Sequence, residues 1–243
     1  MLTLFTASII GLVRYFSYRR LRRELERLEE VAALHKERAR IARDMHDEVG
    51  SKLSRLSLLS EMASQQPDMP ASARGEVAEI SETARDTIRS FEEIVWAVNP
   101  KNDSLANLVQ YLSRFAEEFF EGSATQCAFE LPEDIPALAL PTEVRHHVFL
   151  AAKEALNNVL KHAGAGRVCV RVTMTDDGFE IGIEDDGCGF AGGEAPPRSG
   201  SGNGLDNMRE RMRAVGGQFV LLSHPGKGTQ VSFLVPCPPR PAS

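Results

Sequence analysis

Apolar residues in the first hundred positions recur at helical spacing. Ile41, Met45, Val49, Leu53, Leu56 and Leu59 follow at three- and four-residue steps, which predicts an amphipathic helix with one apolar stripe. Upstream, Leu21, Leu25, Leu28, Val31, Leu34, Arg38 and Ile41 line one broad face of a stretch dense in Arg and Glu, with no Pro or Gly from Leu21 to Arg43. This predicts an unbroken helix over 19–40, paired as a short parallel coiled coil and running into the next segment. The run from Gln65 to Pro70 holds two prolines and breaks the helix. A second stripe, Ile80, Ala84, Ile88, Phe91, Val95 and Val98, stops at Asn99 and Pro100. Two striped helices joined by a short loop have too little core to stand alone, so residues 41–100 are expected to form a helical hairpin that completes a four-helix bundle in a homodimer.

Beyond Lys101 the period changes. Leu105, Leu108, Leu112, Phe115 and Phe119 mark a helix, and Val144, Val148, Ala151, Ala155 and Val159 a second, spanning 142–163. Strands follow: Val168, Val170, Val172 and Met174 alternate with Cys169, Arg171 and Thr173, and Phe179, Ile181 and Ile183 with Glu180, Gly182 and Glu184. A helix after Gly204 and a hairpin from Phe219 to Val235, turning at Pro225 to Gly228, complete the pattern. Helices mixed with antiparallel strands predict an α+β chain whose 101–236 domain is a two-layer α/β sandwich. Residues 237–243 read as a loose, proline-rich tail.

Composition adds boundaries rather than chemistry. A hydrophobic share of 42% and a charged share of 26% are those of a folded protein. The net charge of -6 gives no global reason to expect nucleic-acid binding. Cys127, Cys169, Cys188 and Cys237 are far apart and form no Cys-x-x-Cys pair, so reduced thiols in a cytosolic compartment are the simplest reading. Residues 1–18 are largely apolar, and Arg19, Arg20, Arg22 and Arg23 follow. A spanning helix needs about 20 apolar residues and Arg14 interrupts this run, so it reads either as part of a transmembrane segment with a cytoplasmic basic flank or as the start of a cytosolic helix.

Three places carry candidate chemistry. His46 stands one position beyond the apolar stripe, with Asp47 next and Gly50 one turn on. A carboxylate can hold one imidazole nitrogen protonated and leave the other as acceptor or nucleophile, and a surface histidine on a charged helix would look the same. Glu154, Asn158 and Lys161 are spaced to share one helix face, where a carbonyl oxygen for Mg²⁺, a point charge for an anion and a base would serve a phosphate. A solvated face with a Glu–Lys pair fits equally well. In the strand from Phe179 the inward period lands next on Asp185, which should be buried while Asp186 points away. A buried carboxylate needs a donor, and Gly187 and Gly189 let one approach. Residues 191–202 read as a mobile lid, and Gly202 and Gly204 open a helix suited to phosphate. The dinucleotide fingerprint fails, because Asn207 occupies its third glycine position, and no Walker-type run is present.

In order and spacing, Glu154, Asn158, Lys161 and His162, then Asp185, Gly187 and Gly189, then Gly202, Gly204 and Leu205, then Gly228, Thr229 and Val231 resemble the N, G1 and G2 boxes and final Gly-Thr strand of one ATPase domain. That domain, of Bergerat type, is shared by gyrase, heat-shock protein 90, histidine kinases and mismatch-repair ATPases. The run from Arg40 to Gly50 resembles the phosphoacceptor segment of sensor histidine kinases of the nitrate-sensor and desaturase-thermosensor type. The resemblance covers about 35–236. It implies ATP and Mg²⁺ as cofactors, His46 as phosphoacceptor, Asp47 orienting it, Glu154 assisting catalysis and Asn158 coordinating Mg²⁺. It further implies that Asp185 binds the adenine amine, that Gly187, Gly189, Gly202, Gly204 and Leu205 help enclose the nucleotide, and that Thr229 supports the adenine end. Lys161 and His162 complete the first box. The implied partners are a second copy of the chain and a separate response regulator receiver domain. The implied location is the inner membrane with a cytoplasmic kinase core, or the cytoplasm. Ser51 departs from the glutamine common at that position, which puts phosphatase activity in question. A conformational ATPase or protein serine kinase, or a degenerate dimeric scaffold, are the competing readings.

Overall fold

The computed structural model describes residues 2–65, 70–136, 138–191 and 204–236, with the side chains of residues 2–11, 13, 46, 71 and 72 outside that description. The chain forms two units, Met1–Lys101 and Asn102–Ser243. The break between the hairpin helices, the proposed lid and the tail therefore lie largely outside the described residues, as does Gly202.

In the first unit, α1 runs from Leu2 to Met45, α2 from Ser51 to Ser64 and α3 from Ala71 to Val98. The expected unbroken helix is not uniform. A π-helical turn, His46–Gly50, joins α1 to α2. Such turns hold an extra residue and recur at functional sites. Ser57 and Ser60 of α2 and Ser81, Ala84 and Ala97 of α3 are buried, so small side chains bring the two helices together. The large residues Ile41, Met45, Val49, Leu56, Leu59, Met62, Ile80 and Ile94 remain exposed in the single chain, as do Leu21, Leu25, Leu28, Val31 and Leu34 along α1. Arg85 ties α3 to α2 through Glu61 at 2.9 Å, a surface pair that contributes little. Among the described residues no helix is long and apolar enough to cross a membrane.

The second unit is a five-stranded sheet with helices on one face. α4 (Leu105–Phe120) starts where Ser104 accepts a hydrogen bond from the Asn107 amide at 3.2 Å, a side-chain cap. Then come β1 (Gln126–Glu130), α5 (Thr142–Asn158), β2 (Arg167–Thr175), β3 (Gly178–Asp185), α6 (Gly204–Ala214), β4 (Gln218–Ser223) and β5 (Thr229–Pro236). The strand order is β1-β2-β3-β5-β4. The all-antiparallel expectation is corrected at one edge: β1 pairs with β2 in parallel, while the remaining pairs are antiparallel. β1 escaped the periodicity reading because it is short and half-buried, with no clean alternation.

The core lies between helices and sheet. Leu105, Leu108 and Leu112 of α4 and Val148, Phe149, Ala152 and Leu156 of α5 are buried against Val168, Val170, Phe179, Ile181, Ile183, Val231 and Phe233. Each large side chain so enclosed stabilises the fold by about 2 kcal/mol relative to exposure. Arg145 is enclosed in the same helix layer, fully buried, and its Nη1 lies 2.6 Å from Asp103 Oδ1. The opposite sheet face is polar, with Arg171 bridging Glu130 at 2.6 Å and Glu184 at 3.6 Å. Cys127, Cys169 and Cys188 are free thiols, and burial pushes the Cys127 thiol up to about 11, keeping it protonated and inert.

Candidate functional site

The second unit gathers most of the sequence-derived candidates at one end of the sheet. Alternation along β3 buries Phe179, Ile181, Ile183 and then Asp185, which is 7% exposed, whereas Asp186 is turned out. The Asp185 carboxylate does not lack partners. Its Oδ1 accepts from the Gly187 amide at 2.9 Å, and the Thr229 amide donates to the carboxylate as well. Burial nevertheless raises its pKa above the ordinary aspartate value of 3.8, outweighing the two amides that favour the ionised form. A carboxylate with two amides behind it retains acceptor capacity for an incoming donor.

The segment after Asp185 is bound on both sides. The Cys188 amide donates to Ala163 O at 2.8 Å, and a Cβ on Gly187 would collide with that carbonyl. Gly189 has φ +57°, and a Cβ there would run into His224 O. Gly228 has φ +78°, and its missing side chain leaves room for Asp185 O. On the far side the Gly226 amide donates to Cys188 O at 2.6 Å and the Phe190 amide to Ser223 Oγ at 2.9 Å. The glycines thus let the segment after Asp185 pack backbone to backbone against Ala163 on one side and the β4–β5 turn on the other.

α5 carries two further candidates. Glu154 and Asn158 are half-buried in its last turns, and a Cβ on Gly204 would meet the Glu154 carboxylate. The first residue of α6 thus abuts Glu154. Gly204 and Leu205 are half-buried, and the amides of that first turn carry the positive end of the helix dipole. The helix expected over 142–163 is corrected in its last turn, because Val159–Ala163 is π-helical. Lys161 and His162 are both exposed, and His162 meets the glycine segment through its backbone, whose oxygen lies 3.5 Å from Cys188 Sγ.

Thr229, half-buried at the start of β5, stands opposite Asp185 in the strand register, and Ser223 stands opposite Thr229. Ala163, Phe190, Ser223 and Gly228 were not singled out as site residues from sequence. Gly228 had a signal, the Gly-Thr pair. The others act through backbone atoms or hairpin register, which leave no local trace. His46 and Asp47 belong to the first unit. The backbone of His46 opens the π-helical turn, Asp47 is exposed, and no Cβ contact arises at Gly50. Ser51 Oγ donates to Asp47 O at 2.5 Å.

Comparison with known proteins follows these two units. A family model described as histidine kinase matches residues 37–103, and one described as histidine kinase-, DNA gyrase B-, and HSP90-like ATPase matches residues 143–239. The chain is 30% identical to the nitrate/nitrite sensor protein NarQ of Escherichia coli (strain K12), over 93% of this chain and 38% of the relative. It is 26% identical to the sensor histidine kinase LiaS of Bacillus subtilis (strain 168), over 86% of this chain and 56% of the relative. An uncharacterized sensor-like histidine kinase of Chloroflexus aurantiacus is 30% identical over 88% of this chain and 37% of the relative. The chain thus spans between about a third and just over half of the length of these curated relatives. Among solved structures, the Erythrobacter litoralis EL346 blue-light activated histidine kinase shares the fold at a TM-score of 0.50 and 18% identity, over 78% of this chain and 60% of that one.

Proposed function

Since the chain belongs to the histidine kinases, carrying both the phosphoacceptor and the ATPase domain of that family, we propose that it transfers the γ-phosphoryl group of ATP to His46 and then to an aspartate of a separate response regulator. The observation that carries this reading is the buried Asp185 carboxylate set among the close-packed Gly187, Gly189 and Gly228, occurring in one chain with the His46–Asp47 pair.

The residues at this end of the sheet suit a nucleotide. Asp185 offers acceptors to the adenine amine, Gly187, Gly189 and Gly228 let the backbone close tightly around it, and the first-turn amides of α6 at Gly204 and Leu205 are suited to phosphate oxygens. Lys161, His162 and Gly202 are assigned to the nucleotide site by their motifs alone. Asn158, one turn beyond Glu154, would hold Mg²⁺ through its amide oxygen, and the ion when bound neutralises charge on the phosphate oxygens. Thr229 supports the adenine end. In the first unit, Asp47 holds one imidazole nitrogen of His46 protonated, so the other carries the lone pair that attacks phosphorus. A P–N bond forms as the P–O bond to ADP breaks, the proton left on the far imidazole nitrogen passes to Asp47, and Glu154 assists catalysis at the nucleotide. Phosphoryl transfer depends mainly on positioning and charge, so delivery of the nucleotide to His46 sets the rate.

The exposed stripe of Met45, Val49, Leu56 and Leu59 supports a homodimer closed as a four-helix bundle. Attachment to a membrane through residues 1–18 rests on their apolar run and basic flank alone. With labelled ATP, the wild type should acquire label that is lost in acid, as a phosphoramidate is. His46→Ala should acquire none while binding nucleotide normally; acid-stable label, or label retained by the variant, refutes the assignment.

A further inference from the structure

The sheet has two edges, and only one of them is guarded. At the first, β1 carries Glu130, held by Arg171 at 2.6 Å, and Pro132 follows shortly after the strand. Charge and proline on an edge both discourage further pairing. At the other edge stands β4, last in the strand order, which reads Gln-Phe-Val-Leu-Leu-Ser without charge, proline or glycine. Register sets Val220 and Leu222 in rows with Ser232 and Gln230, on the sheet face away from the helices, where they are 39% and 55% exposed. The main chain of β4 divides by the same parity. The His224 amide donates to Gly228 O at 3.4 Å across the hairpin, while the Thr229 amide turns the other way, to the Asp185 carboxylate. Alternation then directs the N–H and C=O groups of Leu222, Val220 and Gln218 at β5, and those of Ser223, Leu221 and Phe219 outward. Among the described residues nothing bonds that outward set. Such a row is a template for one more strand.

The strand that matches this edge is its own copy. Outward main-chain groups at Phe219 and Ser223 lie equally far on either side of Leu221, and so do the exposed side chains of Val220 and Leu222. An antiparallel copy related by a two-fold axis at Leu221 therefore sets Leu221 against Leu221, Phe219 against Ser223 and Val220 against Leu222. Every outward N–H then meets a C=O, and Val220 and Leu222 of both copies close over one another on the open face. We propose that β4 is a self-association edge, through which two copies of the chain pair antiparallel about Leu221 and join their sheets into one. A pairing of this length buries far less than a stable interface does, so it is weak and concentration-dependent. It is separate from the helical pairing proposed for the first unit, and a chain using both links dimers into rows.

The test is sedimentation of the full chain over a concentration series. The mass of wild type should rise with concentration beyond that of the helical dimer. Leu56→Glu with Leu59→Glu, aimed at the helical pairing alone, should keep a concentration-dependent step, so the two interfaces are read separately. Val220→Lys with Leu222→Lys should lose that step in both backgrounds, because the lysines face one another across the axis. Val220→Lys with Leu222→Glu should regain it, since position 220 of one copy faces 222 of the other and each lysine meets a glutamate. Circular dichroism checks the fold, and Val220→Lys alone makes the same test if the double lysine variant unfolds. A step that survives the lysines, a loss that the Lys–Glu pair does not restore, or a wild type that never passes the helical dimer overturns the proposal. The second of these would mean that the apolar face sticks without strand pairing, and the third that the edge is covered by something other than a second copy.

Discussion

Replacing Arg145 by Met should destabilise the second unit far more than a helix arginine normally would. Arg145 is 0% exposed and its partner Asp103 is 20% exposed, with 2.6 Å between Nη1 and Oδ1. Asp103 also accepts from the Thr142 hydroxyl at 3.3 Å, and its carbonyl receives the Leu140 amide at 3.1 Å. The pair thus ties the segment before α4 to the first turn of α5. Methionine fills similar volume but leaves the carboxylate without its cation. Breaking a buried pair costs about 3–5 kcal/mol, and the remaining exposure of Asp103 puts this case near the lower end, about 3 kcal/mol. With a urea slope of about 2 kcal/mol per molar, the midpoint of the second unit should fall by roughly 1.5 M. Far-UV circular dichroism follows the whole chain, while Trp96, the chain's one tryptophan, lies in α3 of the first unit. The dichroism transition should move and the Trp96 transition should not. Adding Asp103→Leu should recover most of the loss, because both charges are then gone. An unmoved midpoint in the single variant would show that the ion pair contributes nothing net.

Three further outcomes follow from the same geometry. Gly228→Ala places a Cβ against Asp185 O at φ +78°, so it should cost about 2 kcal/mol or more and abolish nucleotide binding; a variant that binds ADP normally and melts normally contradicts the close approach. Because burial raises the Asp185 pKa, its charge opposes folding at neutral pH, and that penalty vanishes as pH falls through the raised value, when the folded state takes up the proton. Asp185→Asn should therefore unfold at higher urea than wild type at neutral pH, converge with it in acid below the ordinary 3.8, and lose ADP binding; thermal or urea curves across pH decide it. Leu56→Glu with Leu59→Glu puts charge on the exposed stripe of α2, so sedimentation should show monomers where wild type sediments as a dimer, with helix content retained; an unchanged dimer would move the interface elsewhere.

Much of this protein is readable from local pattern. The helical stripes follow from side chains that must share a face every three or four residues, and the burial of Asp185 follows from parity along β3, since a period of two permits only one side for it. The spacing of the glycines and of Asn158 and Thr229 is equally a property of the chain order. Other features exist only once distant segments meet. Arg145 lies in a helix where a charged residue reads as solvated, and it is enclosed because α4 and Asp103 close over it. The π-helical turns at His46–Gly50 and Val159–Ala163 add a residue where α-periodicity assumes none. β1 becomes a strand because the β2 edge offers it hydrogen bonds that its own five residues do not encode. Ser223 reaches Thr229 through the register of a hairpin and binds Phe190 from 33 positions away. Periodicity is a statement about neighbours along the chain, whereas the partners of a buried polar group depend on every segment that converges on it, and only the folded arrangement brings those segments together.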